Sequence, residues 1–160
     1  MVETMFARAP RRAVAAFALA VLMAMFAPSA PRAADRVATP GETAVVPLPA
    51  PPRSGGAVYL DLRISAYTPP ARGSVDGVVA LANSKREIEI GRVTIFPNQA
   101  FAAKDGEPGR SFRFNVTSAL AALFVDGGPL ELRVRLAPID PKLPIEGARM
   151  TIGGAEFRGP

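Results

Sequence analysis

Three residue types are missing: the 160 residues include no cysteine, no histidine and no tryptophan. Without cysteine there can be no disulfide and no thiolate nucleophile or thiolate metal ligand. Without histidine there is no Ser-His-Asp triad and none of the imidazole ligands that copper, zinc and haem sites usually use. We therefore expect a protein that is not an enzyme and that binds no metal or cofactor by itself.

Carboxylate side chains are the remaining candidates for catalysis. Glu87 and Glu89 lie two residues apart in an alternating segment, so their side chains share one face of a predicted strand. Charged side chains on one face of an antiparallel strand usually face water. We interpret the pair as part of a solvated face, and we keep an enzyme that works through carboxylates alone as the third of three functional hypotheses.

Residues 1–34 have the organisation of an export signal. Arg8, Arg11 and Arg12 precede an uncharged run of 15 residues, 13–27. That run is shorter than the ~20 residues of a membrane span. We predict a cleaved signal and a periplasmic or extracellular protein, which would touch the membrane only if the signal were retained as an anchor. The pair Arg11-Arg12 leaves twin-arginine export as an alternative route.

More than half of the net charge of the chain lies in the leader. The whole sequence has 19 basic and 14 acidic residues, a net charge of +5. Four arginines and one glutamate belong to residues 1–34, so residues 35–160 carry 15 basic and 13 acidic side chains, a net charge of +2. No dense basic run with interleaved aromatic residues occurs, and we therefore expect no nucleic-acid partner.

The segment 35–57 is rich in proline, alanine and glycine. Proline fixes φ and removes a backbone donor, which excludes a helix or a central strand. Its prolines are Pro40, Pro47, Pro49, Pro51 and Pro52. We predict a stiff, extended tether between the signal and the domain, with a short edge strand over 43–48 as the alternative.

From residue 58 onward the pattern has a period of two. Apolar and polar side chains alternate over 58–65 and again over 130–136, which is typical of strands with one buried face. One short helix is predicted over 119–125. We therefore predict an all-β fold for residues 58–160, an antiparallel β-sandwich or barrel of about six or seven strands with one short helix.

Several local features follow from residue type. Thr117 or Ser118 is predicted to cap the helix. Gly91 and the pair Gly153-Gly154 interrupt alternating segments, which predicts β-bulges there. Phe112 and Phe114 share one strand face, and we expect both in the core.

The order of these segments resembles a known domain. The motifs are VYLDLRI, GRVTIFP, FRFNVTSALAAL, LELRVRLAP and MTIGGAEF, within residues 58–158. Together they resemble the C-terminal β domain that follows the copper domain in tyrosinases and polyphenol oxidases. In that family the domain packs over the active-site mouth and can shield it until activation. This sequence has neither the copper domain nor its histidines, so the resemblance implies no oxidase activity. It implies a free-standing β domain that covers or escorts a separately encoded tyrosinase-like copper enzyme.

Aromatic side chains and one loop are the candidates for binding a partner. Exposed aromatic residues anchor protein interfaces and can also bind sugars. The recognition surface is predicted to be either an exposed sheet edge or the loop 97–110, and the first strand is predicted to present its tyrosines on its polar face. The candidate residues are Tyr59, Tyr67, Phe96, Asn98 and Phe101. The alternative function is an envelope or carbohydrate-binding module in which the two tyrosines contact glycan.

Arginine residues could form a basic stripe. Arg133 and Arg135 project from one face of a predicted strand, and Arg63 or Arg113 could extend the stripe across the sheet. Acidic residues are interleaved with these arginines. We therefore expect a mixed, solvated face instead of a binding surface for an anion.

Overall fold

The computed structural model describes residues 36–52, 55–104, 107 and 109–159. The predicted export signal, 1–34, lies outside the described residues, as do positions 105, 106 and 108 of the loop 97–110. The export route and the cleavage of the signal therefore stay predictions.

Two antiparallel sheets and one helix make up the described chain, which confirms the all-β prediction. The first sheet contains β1 (Val37–Ala38), β9 (Arg149–Arg158) and β3 (Tyr59–Thr68), and then, along the far side of β3, β7 (Arg110–Asn115) and β6 (Phe101–Ala102). The second sheet contains, in order, β2 (Ala44–Pro47), β8 (Glu131–Pro138), β4 (Val75–Ala82) and β5 (Glu87–Thr94). The helix is α1 (Thr117–Phe124).

The inward faces of the two sheets form one apolar core. Because side chains alternate along a strand, every second residue of the central strands points inward. The fully buried members on β3, β4 and β8 are Leu60, Leu62, Ile64, Val79, Leu81, Leu132 and Val134. Burial of such a side chain contributes about 1.5–3 kcal/mol, so the fold can be stable without disulfides. Phe112 and Phe114 are half-buried against this core, because β7 lies at the edge of its sheet.

The segment after the leader belongs to the sandwich, and the tether interpretation was wrong for residues 36–48. β1 pairs with β9 and β2 pairs with β8, so the chain adds one edge strand to each sheet. Ala38 and Ala44 are completely buried, and Val46 is nearly so. Pro47 is tolerated because it ends an edge strand, where the missing donor costs little. The alternative of a short edge strand over 43–48 was the correct one.

The strand register separates two ends of the sandwich. Tyr59 pairs with Asn115 and Arg158 at one end of β3, whereas Thr68 pairs with Arg149 at the other end. α1 and the 83–86 turn lie at the first end, which we name the helix end. The second end, which we name the loop end, carries the loops 69–74, 95–100, 103–109 and 139–148, apart from the positions not described. The strand β6 lies inside the predicted loop 97–110.

The predicted bulges are present, and one more occurs without a glycine. The β4–β5 register shifts opposite Gly91, and the β3–β9 register shifts opposite Gly153-Gly154. At Gly91 a Cβ would lie 2.7 Å from Cε1 of Phe114, so a side chain would collide with that ring. The additional shift lies between Ile64 and Ala66. It exchanges the inward and outward faces of the last residues of β3.

The predicted helix exists, but the predicted cap was wrong. The N-cap residue of α1 is Val116, whose side chain makes no capping hydrogen bond. Instead, Oδ1 of Asn115 accepts a hydrogen bond from the backbone N–H of Thr117 at 3.1 Å. The hydroxyl of Thr117 accepts one from the N–H of Val58 at 2.9 Å. Thr117 therefore fastens the helix to the start of β3.

We expect Ala44→Asp to destabilise the fold by about 3–5 kcal/mol, because it places an unpaired charge in the core. The matched control is Thr43→Asp at the neighbouring exposed position, with an expected change within about 0.5 kcal/mol. Urea unfolding measures both differences. Equal stability of the two variants would mean that residues 36–48 behave as a tether after all.

Candidate functional site

Four of the five predicted binding residues meet at the loop end. The hydroxyl of Tyr67 donates a hydrogen bond to Oδ1 of Asn98 at 2.7 Å. Nδ2 of Asn98 donates to the carbonyl of Gly73 at 2.9 Å. Phe101 is the strand partner of Tyr67, and the centroids of the two rings are 6.3 Å apart. The loop 97–110 is thus fastened both to β3 and to the loop 69–74.

Phe96 is the exposed member of this group, with 87% of its surface accessible. Nη1 of Arg110 donates a hydrogen bond to the carbonyl of Phe96 at 3.1 Å. The same guanidinium lies 4.6 Å from the ring centroid of Phe101, a cation–π contact. The side chain of Phe96 is therefore exposed to solvent, while its backbone carbonyl is hydrogen-bonded to Arg110. We name Tyr67, Phe96, Asn98, Phe101 and Arg110 the Phe96 site.

Tyr67 is buried beneath the Phe96 site and holds Asn98 through its hydroxyl. The prediction that Tyr67 is exposed was therefore wrong. Only 2% of its surface is accessible, because the bulge between Ile64 and Ala66 turns it toward the core. Burial raises the pKa of its phenol above the ordinary value of 10.0. Its hydroxyl already donates to Asn98 and is therefore committed to holding the loop.

Tyr59 lies at the helix end, away from the Phe96 site. It is half-buried, and the guanidinium of Arg113 lies 5.9 Å from its ring centroid. Arg113 also donates two hydrogen bonds to the carboxylate of Asp61, at 2.6 and 2.7 Å. This pairing holds the pKa of Asp61 below its ordinary range. Because Tyr59 and Tyr67 do not share a face, they cannot form the predicted pair of glycan contacts.

The outer face of the second sheet is a mixed network of ion pairs, as expected for Glu87 and Glu89. Arg133 bonds Glu87 at 3.0 Å and Glu131 at 3.2 Å, and these bonds raise the pKa of its guanidinium. Arg135 lies 3.8 Å from Glu89. A hollow of about 280 Å³ opens between these side chains over Val45, Val78 and Ala80.

The idea that Arg63 or Arg113 extends this row of arginines was wrong. Both belong to the first sheet, whereas Arg133 and Arg135 belong to the second. The outer faces of two packed sheets point in opposite directions, so the arginines cannot form one stripe.

An apolar groove lies at the helix end. Its volume is about 180 Å³, and its lining includes Leu48, Pro49, Pro51, Phe124, Pro129 and Leu130. The N–H of Leu48 donates to the carbonyl of Leu130 at 2.9 Å, which holds the two walls together. Sequence reasoning missed this groove because it treated the proline-rich wall as part of a tether.

A buried asparagine fixes the end of α1 beside this groove. Oδ1 of Asn83 accepts hydrogen bonds from the N–H groups of Lys85 at 2.9 Å and Arg86 at 2.8 Å. Nδ2 of Asn83 donates to the carbonyl of Leu123 at 3.1 Å. Asn83 therefore ties the turn after β4 to the last turn of the helix, an arrangement that its position in a predicted turn did not reveal.

Exposed large apolar side chains in the described chain lie only at the two ends. Phe96, Ile139 and Leu143 are at the loop end, with accessible fractions of 87%, 50% and 39%. Phe124 and Val125 are at the helix end, with 55% and 83%. Charged side chains occupy the outer sheet faces between them. We therefore take the two ends as the candidate interaction surfaces.

Two further features bear on possible functions. Among the residues that the structure describes, no three acidic side chains come together as a metal site would require. Within the same residues, no helix has the length and apolar character needed to cross a bilayer.

Comparison of the chain with models of known protein families, with curated proteins and with solved structures found no match. The resemblance to the β domain of tyrosinases therefore stays a prediction based on the order of the strand motifs.

We expect Tyr67→Phe to lower the free energy of unfolding by about 0.5–1.5 kcal/mol, because it removes the hydrogen bond to Asn98. Tyr59→Phe is the matched control, with an expected change within about 0.5 kcal/mol. Urea unfolding of both variants measures the difference. Equal effects would contradict the supporting role given to the Tyr67 hydroxyl.

The pH dependence of stability provides a separate test of Tyr67. Because its folded-state pKa is raised, its contribution is complete below the unfolded value of about 10 and is lost as the pH rises from there through the folded value. The difference in unfolding free energy between the wild type and Tyr67→Phe should be constant from about pH 7 to 9 and should shrink above about pH 10. A difference that stays constant into the alkaline range would mean that the phenol is not buried.

Proposed function

We propose that this protein is a non-enzymatic, exported β domain that binds a partner protein through the Phe96 site and covers or escorts it. The partner to which the resemblance points is a tyrosinase-like copper enzyme. The observation that carries the binding proposal is the 87% exposure of Phe96 on a backbone held by hydrogen bonds.

The loop that carries Phe96 is already ordered by hydrogen bonds. Association ordinarily loses free energy when flexible side chains and loops become fixed. Here Asn98 is already bonded to Tyr67 and Gly73, and Arg110 is bonded to the carbonyl of Phe96. An aromatic ring presented in this way can enter a pocket of a partner with little reorganisation, and such residues dominate the free energy of many interfaces.

The neighbouring loops extend the surface beyond one residue. Gly73, whose φ is +76°, lets Leu143 pack against the backbone, since a Cβ there would lie 3.1 Å from Cβ of Leu143. The N–H of Ile139 donates to the carbonyl of Ser74 at 3.0 Å. These contacts link the apolar residues of the loop end through the segment 73–74. An end of the sandwich that carries several apolar side chains suits a domain that covers an opening.

The test of the partner is a pull-down of the tagged protein from the envelope fraction of its own host, followed by mass spectrometry. We expect a copper oxidase in a near-stoichiometric complex, and addition of the purified protein should lower the activity of that oxidase. Recovery of wall or membrane material alone would overturn the proposal, and direct glycan-binding assays with Tyr59 substituted would then follow.

We expect Phe96→Ser to abolish co-purification of the partner while leaving the thermal unfolding temperature almost unchanged, because the side chain is exposed. Val125→Ser is the matched control: it also removes an exposed apolar side chain, but at the helix end. It should retain the partner. Equal loss of binding in both variants, or none in either, would exclude the Phe96 site as the contact.

A further inference from the structure

We propose that the predicted leader is removed before residues 36–48 join the sandwich, so that the chain is exported unfolded. We name residues 36–48 the entry hairpin, which consists of β1, a turn and β2. The inference rests on the exported state in the function proposed above, but not on the Phe96 site. It follows from the place of the entry hairpin, next to the leader in the sequence and at one edge of each sheet in the fold.

The leader and the first strand are almost adjacent in the sequence. Arg36 is already half-buried, and β1 starts at Val37. A leader that ends at Ala34 therefore leaves only Asp35 and Arg36 between the cut and the first strand. Two extended residues span about 7 Å at most. A protease binds an extended stretch of its substrate on both sides of the bond that it cuts, and this needs more free backbone than a docked β1 leaves.

The entry hairpin is part of the packed structure. Its two strands pair with β9 and β8, one in each sheet. Ala38 and Ala44 are completely buried. The backbones of Thr39 and Glu42 exchange two hydrogen bonds of 3.1 Å, which close the turn between the strands. A protease reaches such a segment only in the fraction of molecules in which it has opened, so removal of the leader from the folded protein is slow.

The partners of the entry hairpin are the last two strands that the structure describes. Val37 pairs with Thr151 on β9, and Ala44 pairs with Val134 on β8. A chain that crosses a membrane from its N-terminus delivers β8 and β9 last. Until they arrive the entry hairpin has no strand to pair with, and the end of the leader stays accessible. The order of the strands thus provides a period in which the leader can be cut, if the chain crosses unfolded.

The alternative route makes the opposite demand. The pair Arg11-Arg12 is compatible with twin-arginine export, which carries proteins that are already folded. A folded sandwich would offer the end of the leader to the protease with β1 already docked. The buried entry hairpin therefore favours export as an unfolded chain, a choice that the sequence alone left open.

The first experiment measures removal of the leader from the folded full-length chain by a purified bacterial signal peptidase in detergent. One variant carries about 12 Gly/Ser residues after Ala34, a spacer of up to ~40 Å. The control carries the same spacer between Gly55 and Gly56, which are exposed and lie beyond the entry hairpin. Circular dichroism checks that each chain is folded. We expect the spacer after Ala34 to speed cleavage at least ~10-fold, which corresponds to about 1.4 kcal/mol for opening the hairpin, and the control spacer to leave the rate unchanged.

The possible failures of this experiment are distinguishable. Equal cleavage of the natural chain and of the chain with the spacer after Ala34 would overturn the inference and leave the Phe96 site untouched. Cleavage of neither chain would mean that the leader is not a removable signal. The exported state in the proposed function would then fail together with this inference.

The second experiment tests the route in a bacterial host that has both export systems. Arg11→Lys combined with Arg12→Lys removes the arginine pair and keeps the positive charge, so export should be unchanged. Azide, which inhibits transport of unfolded chains, should make the uncut precursor accumulate. A protein of known twin-arginine export is the control. Loss of export in the double lysine variant, or no accumulation with azide, would show that the protein crosses folded and would overturn the inference.

Discussion

The whole molecule depends on the central position of β3 and on the change of face within it. β3 is paired along both of its sides, with β9 on one and with β7 and β6 on the other. Its first half sends Leu60, Leu62 and Ile64 into the core, and a regular strand would have sent Tyr67 to water. The irregularity between Ile64 and Ala66 turns Tyr67 inward, so the same strand that builds the core also supports the loop that presents Phe96.

Alternation and glycine positions were enough to predict the longer strands from β3 onward and two of the bulges, because both signals are local. The irregularity after Ile64 has no glycine to mark it, and the face of Tyr67 was therefore assigned wrongly. The strands before residue 48 were hidden by proline content. Pairing of β1 with β9 joins residues more than a hundred positions apart, and no local pattern reveals which edges meet.

The candidate site could be predicted one residue at a time but not as an arrangement. Phe96, Asn98 and Phe101 stood out as loop aromatics and a polar neighbour. The roles of Gly73 and Arg110 depend on contacts between distant segments. The backbone carbonyl of Gly73 accepts a hydrogen bond from Asn98, and the guanidinium of Arg110 donates one to the carbonyl of Phe96. The groove at the helix end was beyond prediction for the same reason, since residues 48–51 and 124–130 meet only in the folded chain.

The distribution of polarity separates the faces of the sandwich from its ends. Ion pairs such as Asp61–Arg113 and Glu87–Arg133 cover the sheet faces, and exposed pairs of this kind contribute little to stability. Interspersed charges of both signs also leave no large apolar patch on a sheet face, which disfavours its association with another sheet. Apolar side chains left in water at the ends then become the sites at which association releases most free energy. The two ends are therefore where we expect an apolar contact with another molecule, and Phe96 is the most exposed large apolar side chain that the structure describes there.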